Sequence, residues 1–385
     1  MVCCQPSVIR CWSASFNSPC SAGPICIVGR TREKRPRVFD VTFAACSCPS
    51  LARMKPIASV IIPNWNGREW LDRCLRSLLA QTLQPVEILV VDNGSTDGSA
   101  EWVVEAFPAV RVLRQPENLG FARATNIGIQ ASGGEFIVFF NNDARAEPDW
   151  LERCVKAMGN DAAIASAACR TLDDHDPARI YSLGDGFLPN GDGMNIARGM
   201  RYRSDLPMPR WVFGPSGCTA VYRRAALEKV GLLDEDYVSF HEDVDLNWRL
   251  LLAGYKCLYV PEAVAYHVGY ATGRKVNDRI AFLSGRNRLL VLFKNLPGSL
   301  WLRFAIPLAL RQAQMLWWAV KGNAEMRVRC RGALASLRYL PREWRKRRAA
   351  NRLRRLGAAE VAAFIQTHAV LQRQLNALIN RECEH

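Results

Sequence analysis

The sequence contains no CxxC pair, although it holds 14 cysteines among 385 residues. The ligand spacing of a structural zinc site is therefore missing. Seven cysteines (Cys3, Cys4, Cys11, Cys20, Cys26, Cys46 and Cys48) precede residue 50, and the other seven are scattered singly. Set among helical and strand patterns, these later ones fit reduced core thiols of a cytoplasmic protein. No GxGxxG run occurs, which leaves a nicotinamide-binding site without support. The first 53 residues hold no apolar run long enough for a signal-peptide core or a membrane span. Acidic residues are also short, at 36 against 51 Lys and Arg, a net charge of +15. Such an excess asks for an acidic partner: nucleic acid, anionic lipid or a phosphorylated small molecule.

What is present is ample apolar content (49%) and, from residue 57, regular order. Residues 1–54 carry Cys, Ser, Pro and Arg without periodicity. They read as a start placed too early, with translation beginning at Met54, or as a disordered extension. Beyond them, "SVIIP" (59–63), "VEILVV" (86–91), "VRVLRQ" (110–115) and "EFIVFF" (135–140) read as strands. Between them lie helical segments, the first with Leu71, Leu75, Leu78 and Leu79 at helical spacing. Strands that alternate with helices and are apolar without a break predict an α/β, mostly parallel sheet with helices on both faces. Residues 55–295 are expected to form this domain.

In such sheets ligands bind at the carboxyl ends of the strands. Polar clusters gather at that edge: Asn64 to Asn66, Asp92 to Asp97, and Asn141 to Asp143. Asp97 and Asp149 read as turn or helix-capping residues. Asp92 and Asp143 directly follow hydrophobic strands and are expected to face a ligand.

Five segments, "SVIIPNWNG", "ILVVDNGSTDGS", "ENLGFARATNIGI", "FFNNDA" and "HEDVDLNWRL", occur in the order seen in family 2 glycosyltransferases of the GT-A (Rossmann-like) fold. The sequence resembles the bacterial rhamnosyltransferase branch over residues 57 to 295. The resemblance implies transfer of a sugar from a nucleotide-diphosphate donor, with inversion, assisted by Mg²⁺ or Mn²⁺. It implies that Pro63, Asn64, Trp65, Asn66 and Asp92 bind the nucleotide, with Asn118, Gly120, Arg123 and Asn142 also on the donor side. A divalent cation would neutralise the leaving diphosphate. Asp143 matches the family's metal-binding carboxylate, whereas Asn141 replaces the first acid of that motif, so a second ligand is wanted and His267 is the candidate. Gly120 and Ala122 are expected to leave room for close backbone approach. Transfer to a hydroxyl needs a base. The resemblance assigns it to the Glu242–Asp243 pair: helical spacing groups Glu242 with Asp245 and Arg249 and leaves Asp243 free as base, with Glu242 the rival. Gly214, Gly217 and Trp211 fall in the segment beneath the acceptor.

The tail, 296–385, differs. "SLWLRFAIPLALRQAQMLWWAVKG" is rich in Trp and Leu, but Arg303, Pro307 and Arg311 argue against a clean membrane span. An amphipathic helical extension lying on an anionic membrane, followed by the basic stretch 327–357, fits better. The combined expectation is a peripheral enzyme on the cytoplasmic face of the membrane, acting on a glycan or lipid-linked acceptor. A catalytically silent GT-A module and a nucleic-acid-binding protein are the rivals, and no nucleic-acid partner is expected.

Overall fold

The computed structural model describes residues 55–269 and 277–383; the expectation for residues 1–54 lies outside them. In chain order the elements are β1 (Ala58–Asn64), α1 (Arg68–Leu79), β2 (Val86–Asn93), α2 (Ser99–Ala106), β3 (Arg111–Gln115), α3 (Phe121–Gln130), β4 (Phe136–Phe140), β5 (Ala144–Ala146), α4 (Trp150–Met158), β6 (Ile164–Asp173), β7 (Ile180–Ser182), β8 (Asp185–Phe187), β9 (Gly193–Asn195), β10 (Trp211–Val212), β11 (Thr219–Arg223), α5 (Arg224–Val230), α6 (Glu242–Leu252), β12 (Lys256–His267), α7 (Asn277–Asn295), α8 (Gly298–Arg303), α9 (Ala305–Val320), α10 (Ala324–Ala335), α11 (Leu340–Leu353) and α12 (Ala358–Cys383).

The main sheet runs β10-β12-β6-β11-β4-β1-β2-β3. The strands β3, β2, β1 and β4 are parallel neighbours, as are β6 and β12. β11 lies antiparallel between β4 and β6. The unbroken apolar runs are explained by burial of both strand faces. In β1, Val60 and Ile62 pack with Leu71, Leu75 and Leu78 of α1, while Ile61 faces Ala122 and Ala124 of α3. β4 divides likewise, Val138 and Phe140 to one side and Ile137 and Phe139 to the other. This is the α/β, two-faced, mostly parallel arrangement expected.

The reversal of β11 shapes one edge of the sheet. Thr219 pairs with Phe140, so the entrance to β11 lies beside the exits of β1, β2 and β4. The polar ends Asn64, Asn93, Asn141 and His267 line one cleft there with Gly217 and Cys218.

The C-terminal helices build onto this body. Val291, Leu292, Leu296, Leu300, Phe304 and Leu308 share one buried cluster with Phe213, Val244, Trp248 and Leu252, and Val361, Ala362 and Ile365 of α12 close it. α9 is apolar on its outer side as well: Ile306, Leu310, Trp317 and Val320 are exposed, continuing from Leu302. Among the described residues, no helix is long and apolar enough to cross a membrane.

Candidate active site

A cleft of about 450 Å³ opens at the shared strand edge. It brings together Pro63, Asn64, Trp65, Asn118, Gly120, Asn142, Asp143, Gly217, Glu242, Asp243 and His267, residues far apart in sequence. Four expected residues lie elsewhere. Asp92 is buried behind the wall, accepting from Ser95 N (3.3 Å) and Asn64 Nδ2 (3.4 Å). Asn66 fastens the turn after β2, its Oδ1 accepting from Thr96 N at 2.7 Å. Arg123 is exposed and faces Glu235 at 3.8 Å, because its place on α3 turns it away from the crevice. Trp211 pairs with Leu258 near the start of β12; the β6 partners of Leu258 and His267 are Ala167 and Asp173, which sets them about 20 Å apart along the sheet. Its ring is instead flanked by Arg210 and Lys256.

An amide chain builds one wall of the cleft. Asn142 donates to Asn64 Oδ1 (2.8 Å), and Asn64 donates to Ser99 Oγ (2.9 Å). Asn93 accepts from Leu119 N and donates to Asn118 Oδ1, which fixes the loop that enters α3. Gly120 does permit a close approach, but to protein: a Cβ there would stand 2.6 Å from Val238 Cγ1. Similarly, Gly217 admits the Asp243 carboxylate, and Gly214 admits the Asn247 amide.

At the far end, His267 Nε2 lies 2.9 Å from Asp143 Oδ1 and 3.1 Å from the Asn141 amide, with His267 and Asp143 both buried. Burial works against a charge on His267, but neighbouring Cys218 and Asp143 outweigh it and raise the imidazole well above its usual range. One carboxylate and one imidazole converging on one point of the cleft fit a divalent cation such as Mn²⁺. Among the described residues no cluster of three or more His, Cys, Asp or Glu side chains is arranged for a metal, so phosphate oxygens of a ligand would complete the shell.

The carboxylate pair lines the same cleft. The backbone turns left-handed at Phe240 and His241 (φ 68° at each) before α6 starts, and this turn faces both Glu242 and Asp243 into the cleft. The expected grouping of Glu242 with Asp245 and Arg249 is therefore corrected: Asp245 and Arg249 pair at 2.9 Å away from the cleft. Asp243 Oδ2 accepts from Gly217 N (3.1 Å) and Oδ1 from Val244 N (2.7 Å). Burial raises its carboxyl above the usual range, and those two N–H groups oppose the rise. Glu242 Oε2 is buried without a hydrogen-bond partner. Its burial, and then the Asp243 charge, push it up to about 8. Burial, and then the Asp243 charge, likewise raise the carboxyl of buried Asp185 well above its usual range, against the opposing hydrogen bond from Asn195 at 2.7 Å. Of the three, Asp243 carries the backbone donors that stabilise a negative charge. A carboxylate of raised basicity in a cleft can take a proton near neutral pH.

Sequence reasoning missed Tyr181, Asn195 and Arg198, and Arg279, Ile280 and Leu283 of α7, all of which line the cleft. Arg198 stacks 4.2 Å over Tyr181, whose ring meets His267 edge-on at 4.4 Å. The segment 172–210 has no periodicity that would have marked them.

Fold and crevice together define an α/β protein with a ligand cleft at one edge of a mostly parallel sheet. Residues 59–231 match the family model described as Glycosyl transferase family 2. It is 28% identical over 300 residues to the N-acetylglucosaminyl-diphospho-decaprenol L-rhamnosyltransferase of Mycobacterium tuberculosis, covering 71% of this chain and 92% of the relative. It is 31% identical over 255 residues to the pre-mycofactocin glycosyltransferase of the same organism, covering 64% of this chain and 50% of that one. A solved mannosyltransferase from Pyrobaculum calidifontis, in complex with GDP-Man and Mn²⁺, aligns with a TM-score of 0.47 at 20% identity, covering 78% of this chain and 86% of that one.

Proposed function

We propose that the protein is an inverting glycosyltransferase that moves rhamnose from dTDP-rhamnose to a hydroxyl of a polysaccharide or lipid-linked acceptor in cell-envelope glycan synthesis. The observation that carries this reading is the placement of the Asp143–His267 pair and the Glu242–Asp243 pair in one cleft. The choice of sugar and acceptor draws on the rhamnosyltransferase relative.

The amide wall of Asn64, Asn93 and Asn118 receives the nucleotide. Asp143 and His267 would hold Mg²⁺ or Mn²⁺, which supplies charge neutralisation for the departing diphosphate. Asp243 takes the proton of the attacking hydroxyl as the new bond forms at the anomeric carbon and the bond to the diphosphate breaks. Glu242, held neutral, donates a hydrogen bond into the acceptor side. Arg198 and Arg279 add positive charge to a cleft built to bind an anion.

The acceptor reading places the protein on the cytoplasmic face of the membrane. The outer stripe Leu302, Ile306, Leu310, Trp317 and Val320 suits the headgroup boundary, and exposed Arg331, Arg338, Arg345, Arg348 and Arg352 suit its anionic charge.

Calorimetric titration with dTDP-rhamnose, UDP-galactose, UDP-N-acetylglucosamine and GDP-mannose, with and without Mn²⁺, tests the donor. Mn²⁺-dependent binding of dTDP-rhamnose is expected. Binding of another donor alone would replace the sugar, and metal-independent binding without turnover would favour a silent module.

A further inference from the structure

The turn that carries the carboxylate pair into the cleft is strained at three non-glycine residues. Val238, Phe240 and His241 have φ of 64°, 68° and 68°, and Val238 is β-branched, the type least tolerant of that region. Ser239, Phe240 and His241 themselves line the cleft. Such a backbone persists only where its surroundings over-determine it.

The surroundings that do so come largely from α7, outside the segment matched by the family model. The amide nitrogen of Asn287, fully buried, lies within hydrogen-bond distance of the carbonyls of Tyr237 (2.9 Å), Ser239 (3.0 Å) and Phe240 (2.7 Å), its two N–H groups shared among the three. Arg286 Nη2 donates to the carbonyls of Asp236 (2.7 Å) and Tyr237 (3.1 Å). Arg286 Nε also donates to Asn287 Oδ1 at 2.8 Å, which settles which way the Asn287 amide points. The remaining carbonyl, that of Val238, accepts from Ala122 N at 3.0 Å on the opposite side. All five carbonyls from 236 to 240 thus have a partner, and α7 supplies the partner for four of them. Neither Asn287 nor Arg286 lines the cleft.

We propose that Asn287, oriented by Arg286, is a positioning residue: it holds the left-handed turn 237–241 so that Asp243 is presented to the reacting hydroxyl. The inference rests on the proposed role of Asp243 as base. It gives α7 a second part in the catalytic centre, beside the lining supplied by Arg279, Ile280 and Leu283.

Asn287→Asp keeps the side-chain shape and removes both N–H donors shared among the three carbonyls. In the full-length protein kcat should fall about 100-fold, the loss expected of a small misplacement of a catalytic group, while the donor dissociation constant stays within about threefold. Hydrogen–deuterium exchange should speed up at the amides of residues 238–245 and nowhere else. An unchanged kcat overturns the proposal whatever the exchange shows. So does a fall in kcat accompanied by lost donor affinity and faster exchange throughout, which marks a merely structural residue. If Asn287→Asp fails to fold, Arg286→Gln is read by the same criteria. A wild type that turns over no donor sinks the transferase reading. In that case the local exchange still decides whether Asn287 holds the turn, and unchanged exchange overturns that as well.

Discussion

Glu242 and Asp243 are adjacent in sequence and chemically alike, yet their surroundings separate them. Asp243 has two backbone N–H donors, whereas Glu242 Oε2 has none. An unfolded glutamate titrates near 4.3, and in the fold Glu242 is pushed up to about 8. Between those values the folded state holds a proton that the unfolded chain has lost, so stability falls as pH rises through that window. Glu242→Gln removes this loss. Its melting temperature should exceed that of wild type by about 4 °C or more at pH 8, and the difference should shrink towards pH 5. A difference independent of pH would contradict a protonated Glu242. Asp143 and His267 could be singled out in the sequence because each follows an apolar strand, whereas Asp243 was reached through the family resemblance. The division of labour within the pair was not legible there. It depends on the helix starting at Glu242, after a left-handed turn that spacing does not reveal.

At the scale of elements, α6 is anchored by a buried charge cluster. Lys294 of α7 donates to Asp245 (2.9 Å) and Asp234 (2.7 Å), Arg249 donates to Asp245 (2.9 Å), and Asn295 donates to Asp245 (2.8 Å). Lys346 of α11 reaches Asp234 at 2.6 Å and also contacts Asp236. Burial raises the Asp245 carboxyl, but Lys294 and Arg249 outweigh it and hold it below the usual range. That contribution is present above the unfolded carboxylate range and is lost as pH falls through the folded value. Removing one partner leaves an unpaired buried charge, so Lys294→Met should destabilise by about 3 kcal/mol in urea unfolding at pH 7. A loss below about 1 kcal/mol, the range of a surface pair, would show the cluster to be incidental. The strands and helices up to β4 could be read from unbroken apolar runs between helical repeats. The reversal of β11 could not, since "TAVYR" is buried throughout whichever way it runs. The part α7 plays was hidden too, because Arg286 and Asn287 read as polar interruptions of an apolar helix.

Across the whole molecule, the basic tail and the outer face of α9 belong to one account. The inner side of α9 was not separable in sequence from its outer side, because both are apolar; only packing shows that Leu308, Met315 and Ala319 are buried and Ile306, Leu310 and Trp317 are not. Vesicles containing anionic lipid should pull down the wild-type protein. Leu310→Ser combined with Trp317→Ser should weaken that binding by about 10-fold or more, as expected for lost apolar burial. Equal binding by both forms would move the contact elsewhere. The central claim, that this cleft transfers a sugar with Asp243 as base, is tested most directly by measuring nucleoside diphosphate release from dTDP-rhamnose with Mn²⁺ and a lipid-linked acceptor, for wild type and Asp243→Asn side by side. The account predicts turnover by wild type and a loss of about 1000-fold in the variant, with donor affinity retained. Turnover by Asp243→Asn at the wild-type rate would contradict it.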